Sequence, residues 1–229
     1  MKKTPILISM LLVIWVAGLS ACTNATKESE YIVDQSDMVN THTLFTTTTG
    51  TITEAEKIGL IKMREEEKLA RDVYIMLWEK RGNQTFKNIS QSEQTHTDAI
   101  KDLLVMYNID DPVKNDDIWV FTSKDMGLLY VQLLTKGNQS LGDALAVWAT
   151  IEDLDIKDLN ELLKETTNEN IIAVYTNLNK WSRNHMRAFV KNIEKNNETY
   201  TPQYISNSEY RDIIWASQET SMGRGKNQK

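Results

Sequence analysis

Cysteine, proline and glycine are all scarce in this 229-residue chain, at 1, 3 and 9 residues. A single cysteine excludes a disulfide framework and any cysteine-rich zinc site. So little glycine and proline excludes a collagenous or low-complexity chain, and supplies too few turns for a many-stranded β fold. Positive charge is in the minority, with 26 Lys and Arg against 32 Asp and Glu and a net charge of −6. No large basic field is offered to a phosphate backbone, so nucleic acid is not an expected partner. A phosphate-binding loop is absent too, and no Ser/His/Asp set is suggested by position. What is abundant is Leu, Ile, Lys and Glu, a composition that favours helix.

The beginning of the chain reads as an address. Lys2 and Lys3 precede an apolar run from Pro5 to Gly18, and Leu19-Ser20-Ala21-Cys22 follows. A basic start, a short apolar stretch and small residues before a cleavage point form a secretory signal. The small-small-Cys ending resembles a bacterial lipoprotein signal, which implies cleavage after residue 21 and a lipid on Cys22. An uncleaved membrane anchor, or a plain signal with a chance cysteine, is the alternative, although the run is short for a span of about 20 residues. Residues 22–52 are polar and rich in threonine, ending near Thr46-Thr47-Thr48-Thr49-Gly50, and read as a flexible tether. His42 falls in this stretch and is a bystander.

From Thr53 the pattern becomes helical. Met63, Glu67, Ala70, Tyr74 and Leu77 form one stripe within about 53–80. Phe86, Ile89, Glu93, His96, Ile100, Leu103 and Tyr107 form a second within about 85–107. A loop containing Asp111-Pro112 leads to a short helix near 125–136, stopped by Gly137. Ser140 with Asp143 marks a third long helix, striped by Leu141, Leu145, Trp148, Glu152, Ile156 and Leu159, with a bend or restart near Asp155. The fourth runs over about 168–195, striped by Ile171, Val174, Leu178, Trp181, Ser182, His185 and Phe189. Four amphipathic helices, each roughly 35–40 Å long, make an all-α bundle.

Every long stripe is interrupted by an ionisable residue. Glu67 interrupts the first, Glu93 and His96 the second, Glu152 the third and His185 the fourth. Unpaired charges in a bundle core would be destabilising by several kcal/mol each. A divalent metal offsets that, because carboxylates and imidazoles are its ligands. Glu93-x-x-His96 puts both side chains on one face, a turn apart. Taken singly, each residue has a plainer reading. Glu65-Glu66-Glu67 reads as a solvated acidic face with Glu67 paired to Arg71, and the whole set reads as an ion-pair network without metal.

These runs resemble the ferritin-like superfamily. Glu65-Glu66-Glu67-Lys68-Leu69-Ala70-Arg71-Asp72, Asn88-Ile89 with Ser92-Glu93-Gln94-x-His96, Ile151-Glu152-Asp153, Asn184-His185 and Tyr200-x-Pro202-x-Tyr204-Ile205 are similar to one of its families, the domain of unknown function 2202. The resemblance covers about 53–214. It implies an up-down-down-up four-helix bundle with a short extra helix and a C-terminal helical segment, leaving 215–229 as a disordered tail. It assigns Glu67, Glu93, His96, Glu152 and His185 as metal ligands, with Asp155 a further candidate against a plain helix-end or surface aspartate. Tyr74 lies on the same face and is the candidate catalytic residue. The departure is Ser182, where the superfamily has a Glu three residues before the histidine. One tightly held ion near Glu93 and His96 is therefore expected, with the second weak.

The function so implied is a lipid-anchored protein of the cell envelope, outside the cytoplasm, binding one or two transition metals in its core. Iron or manganese is the expected metal, with zinc the alternative. As an enzyme it would oxidise Fe(II) with O₂ or peroxide in the manner of a di-iron oxidase or ferroxidase. The alternative is a non-catalytic binding module whose metal is structural. Its partners are the membrane through Cys22, metal ions and, as one option, a second copy of the chain.

Overall fold

Helix boundaries follow from the caps. In this computed structural model, residues 50–82 and 84–220 are described. Thr53 opens α1 (Glu54–Arg81) with a capping box, its side chain accepting from the Glu56 amide while the Glu56 carboxylate accepts from the Thr53 amide. Gly82 closes α1 at φ 69°, a conformation that favours glycine, and its amide bonds the Trp78 carbonyl. α2 covers Gln84–Met106, α3 Lys124–Gly137, α4 Leu141–Glu165, α5 Glu169–Lys195 and α6 Asn207–Trp215. Ser123, Ser140, Asn168 and Ser206 cap the starts of α3 to α6, each accepting from an amide of the first turn.

Among the described residues the protein is therefore all-helical, as composition and periodicity predict. Two details differ. α4 runs unbroken through Asp155, because Asp153, Asp155 and Asp158 are all buried and held by partners rather than ending the helix. Gly137 does not stop α3 but belongs to it, and Asn138 is the cap. Glycine serves close approach there, since a Cβ at 137 would lie 2.9 Å from Leu77 Cδ1 on α1.

α1 packs along α2, and α4 along α5, while α3 lies against α1 and α4. The apolar core falls into two clusters. One holds Leu69, Val73, Tyr74, Leu77, Phe86, Ile89, Trp148, Phe189 and Ile193. The other holds Leu60, Met63, Ile100, Leu103, Leu159, Ile171, Val174 and Leu178. The ionisable residues of the four stripes occupy the layer between them.

The acidic and basic run of α1 is buried, not solvated. Glu65 accepts from the amides of Thr122 and Ser123 and so anchors the beginning of α3. Arg64 bonds Asp111 and Thr97. Lys68, fully buried, bonds Asp72 at 2.5 Å and the Asp117 carbonyl at 2.9 Å. Arg71 bonds Asp72, Gln94 and Asp116. The long connection 107–123 is thus tied to α1 by buried charge pairs.

The C-terminal segment is held in the same way. Asp153 accepts from the Tyr200 hydroxyl and from the amides of Gln203, Tyr204 and Ile205. Trp215, assigned from sequence to a disordered tail, ends α6. Beyond it, Glu219 pairs with Arg183 and Arg187, so the packed segment extends past 215. Residues 221–229 lie outside the described residues, as do the signal region, Cys22, His42 and the tether up to 49. Among the described residues no helix is long and apolar enough to cross a membrane.

Candidate metal centre

α1 contributes Glu67, α2 Glu93 and His96, α4 Glu152 and α5 His185. Each is 5% exposed or less. Their ligand atoms form two groups, Glu67 with Glu93 and His96, and Glu93 with Glu152 and His185. Within each group the donor atoms lie within 4.8 Å of one another. Donors around one first-row ion sit about 2.0–2.2 Å from it, hence about 4 Å apart at most, so each group needs little closure to hold an ion.

Glu93 belongs to both groups because its two oxygens point to different histidines. Oε2 lies 2.8 Å from His96 Nδ1, and Oε1 lies 3.0 Å from His185 Nδ1. Glu67 Oε2 is 3.3 Å from His96 Nδ1, and Glu152 Oε1 is 3.5 Å from His185 Nδ1. The imidazoles stack with their centroids 5.7 Å apart. A carboxylate so placed could bridge two cations, one held in each group.

Hydrogen bonds do not complete the arrangement. Glu67 Oε1, Glu93 Oε1 and both nitrogens of His185 are buried, and although Glu93 Oε1 and His185 Nδ1 face one another at 3.0 Å, none of the four makes a hydrogen bond. Such orphaned atoms are strongly destabilising unless something else satisfies them. Apart from the bond between His96 Nδ1 and Glu93 Oε2, oxygen and imidazole donors converge with their hydrogen bonding incomplete, and such a donor set fits a transition-metal ion.

Without metal, protons take the role of cations. Burial favours a neutral imidazole, but Glu152 and Glu93 outweigh it and raise His185 to about 9. His96 is raised well above the usual range, with burial again outweighed by Glu93 and Glu67. Burial lifts Glu67 to about 7, only partly countered by His96. Glu93 is pushed up by burial, yet the two histidines prevail and hold it below its ordinary value. A metal must displace these imidazole protons, so proton competition extends well above the pH of about 6 that ordinary imidazoles suggest.

The other sequence candidates are sorted by contact. Tyr74 donates to Glu152 Oε1 at 2.6 Å, which fixes that carboxylate and leaves the phenol next to the second group. Burial raises the Tyr74 phenol well above its usual range, and Glu152 and Glu93 add to this, so it stays protonated. Asp155 is in neither group. It accepts from the Ser182 hydroxyl and lines the adjoining cavity with Glu67, Glu93 and Glu152. Ser182 also bonds the Leu178 carbonyl, so its hydroxyl is engaged with Asp155 and the backbone. Arg71 pairs elsewhere and leaves Glu67 to the centre. Sequence reasoning missed Ser92, whose Oγ lies 3.4 Å from His96 Nε2 and steadies the ring from one turn away. The i, i+4 spacing to His96 was the available signal.

A curated relative, the uncharacterized protein MJ0754 of Methanocaldococcus jannaschii, is 58% identical over 173 residues, covering 76% of this chain and 94% of that protein. The crystal structure of hypothetical protein MJ0754 superposes with a TM-score of 0.75 at 56% identity, over 76% of this chain and all of that one. The fold therefore lies within a structurally known architecture. Residues 56–217 match the uncharacterized protein domain DUF2202, and on that match the chain belongs to the DUF2202 family.

Proposed function

We propose that this is a lipid-anchored, extracytoplasmic ferritin-like protein that binds one or two transition-metal ions through Glu67, Glu93, His96, Glu152 and His185. The observation that carries the reading is the set of orphaned buried atoms, Glu67 Oε1, Glu93 Oε1 and both His185 nitrogens, gathered between two apolar clusters. Ferritin-like order is supported by the sequence of clusters along each helix. α1 and α5 pass from the Leu60 cluster to the Phe86 cluster, whereas α2 and α4 pass the other way. Such an order supports an up-down-down-up course, in which the long connection 107–140 would join the two downward helices.

Iron or manganese suits a set of three carboxylates and two imidazoles. Bound iron would supply one-electron chemistry toward O₂ or peroxide. The protein's own residues supply a buried, low-dielectric layer, a hydroxyl at Tyr74 protonated and aimed at Glu152, and a cavity of about 20 Å³ against Glu67, Glu93 and Glu152. That volume admits a molecule about the size of water, as a small oxidant requires. The test uses protein made without a metal-binding tag. Elemental analysis should give at least one transition metal per chain. After stripping and addition of Fe(II), O₂ or peroxide should be consumed with a new absorbance band. Zinc retained through purification, with no consumption, identifies a structural metal instead.

The anchor is supported by Leu19-Ser20-Ala21-Cys22 and is tested separately. Cys22→Ala should release the protein from the membrane fraction, because stable attachment needs two or more acyl chains. Continued sedimentation with membranes would make the apolar segment itself the tether.

A further inference from the structure

Glu66 belongs to neither metal group, although it immediately precedes Glu67. Its neighbours have evident tasks. Arg64 holds Asp111, Glu65 anchors α3 and Glu67 enters the centre. Glu66 is 5% exposed, and neither of its oxygens accepts from an N–H or hydroxyl donor, the Asp158 carboxyl being its one polar neighbour at hydrogen-bonding range. Its cation neighbour, Lys62, is 3.8 Å from Oε2 and is more closely engaged by Asp158 at 2.5 Å. Burial favours the protonated form of Glu66, and a buried carboxyl whose only polar company is Asp158 and the more distant Lys62 still destabilises the fold, so packing does not account for it.

Its surroundings suggest a use. Glu66 lines the cavity between α1 and α4, which Leu129 and Leu133 of α3 and Tyr204 close over. On α4, lining the same cavity, stands Asp155, oriented by the Ser182 hydroxyl. The inner wall carries Glu67, Glu93 and Glu152. Lys62 Nζ and Asp158 mark the outward side of Glu66, where Lys62 is partly exposed. Carboxylates thus follow one another from the margin of the cavity to the centre.

We propose that this cavity is the path by which a divalent cation reaches the centre, and that Glu66 with Asp155 forms a transient loading site on it. The proposal rests on the metal-binding reading above and adds a second, weaker oxygen-donor position that the ion occupies in passing. A hard or borderline divalent ion fits, since two carboxylates replace part of its hydration shell. Because the loading site is absent from the final coordination, its removal must slow entry and exit by the same factor. The equilibrium affinity is then unchanged.

The experiment uses Co(II), whose visible absorption reports loading, on the full-length protein after chelator stripping. Association is followed by rapid mixing, dissociation by chelator capture and Kd by titration. In Glu66→Gln, both rates should fall about tenfold or more, the scale on which a focusing charge acts, with Kd within about twofold of wild type. Unchanged rates overturn the proposal. A weakened Kd with an unchanged association rate also overturns it, by making Glu66 a ligand of the bound ion. Absence of Co(II) uptake by wild type instead defeats the metal-centre reading itself, and this proposal with it. If Glu66→Gln does not fold, Leu129→Ala serves, since it thins the cover over the same cavity. Loading should then accelerate at constant Kd, and an unaltered rate overturns the path.

Discussion

Glu93→Gln is expected to remove metal from the protein altogether, not by half. The side chain keeps its shape, but the carboxylate shared between His96 and His185 loses its charge. Substituting a ligand confined to one group, such as Glu67 or Glu152, should spare the other group, so partial retention is the expected contrast. Metal content by elemental analysis decides between them. Wild-type stoichiometry in Glu93→Gln would refute the bridging role.

The same variant has a signature without metal. In stripped wild type, His185 titrates at about 9 against an ordinary value of 6.5. A raised imidazole adds stability that is fully present below about pH 6.5 and is lost as pH rises through about 9, on the order of 3 kcal/mol for a shift this size. Glu67, raised to about 7, is destabilising once it must ionise, so it acts in the same direction. The melting temperature of stripped wild type should therefore fall by several degrees between pH 6.5 and 9. In Glu93→Gln the imidazolium partners are weakened and the fall should be shallower. Metal affinity must run with the opposite sign, tightening as pH rises, because loading expels protons. A stripped protein that gains stability over this range would contradict the arrangement.

Asp72→Ala should be the most destabilising single substitution outside the centre. Asp72 is fully buried and receives Lys68 Nζ, the Arg71 guanidinium and the Trp119 amide. Arg71 retains Asp116 and Gln94, but Lys68, itself without exposure, is left with only the Asp117 carbonyl and the face of Phe121. Removing one partner of a buried ion pair typically destabilises by about 3–5 kcal/mol. For a domain of this size that lowers the melting temperature by roughly 10 °C. The double change Lys68→Met with Asp72→Leu removes both charges and should be less harmful than Asp72→Ala alone. A double variant at least as unstable as the single would show that packing, rather than an uncompensated charge, sets the penalty.

Much of the architecture was legible in the chain because helices are local. The capping residues Thr53, Ser140 and Asn168 and the 3.6-residue stripes act within a turn or two, so starts, ends and inward faces can be read without knowing the partners. The five ligand candidates stood out for a related reason, since an ionisable residue in an apolar stripe needs an explanation wherever the helix packs. The resemblance to the DUF2202 family named all five as candidates, and the fold gathers all five into two overlapping groups.

What the sequence determined by itself was therefore the helices, their buried faces and which residues share the polar layer. Only the tertiary structure decided how charges outside the stripes are used. A charged residue next to an apolar stripe looks solvated until the neighbouring segment is placed. Glu65, Lys68 and Asp72 are buried because the 107–123 connection folds over α1 and supplies amides and carbonyls to them. Asp153 is buried because residues 200–205 return across α4. The two-faced position of Glu93 and the burial of Glu66 beside Asp158 depend on distances between helices, which no spacing along one helix records. Local hydrogen bonds specify elements, whereas the fate of a charge depends on every element packed around it, and that is settled only when the bundle closes.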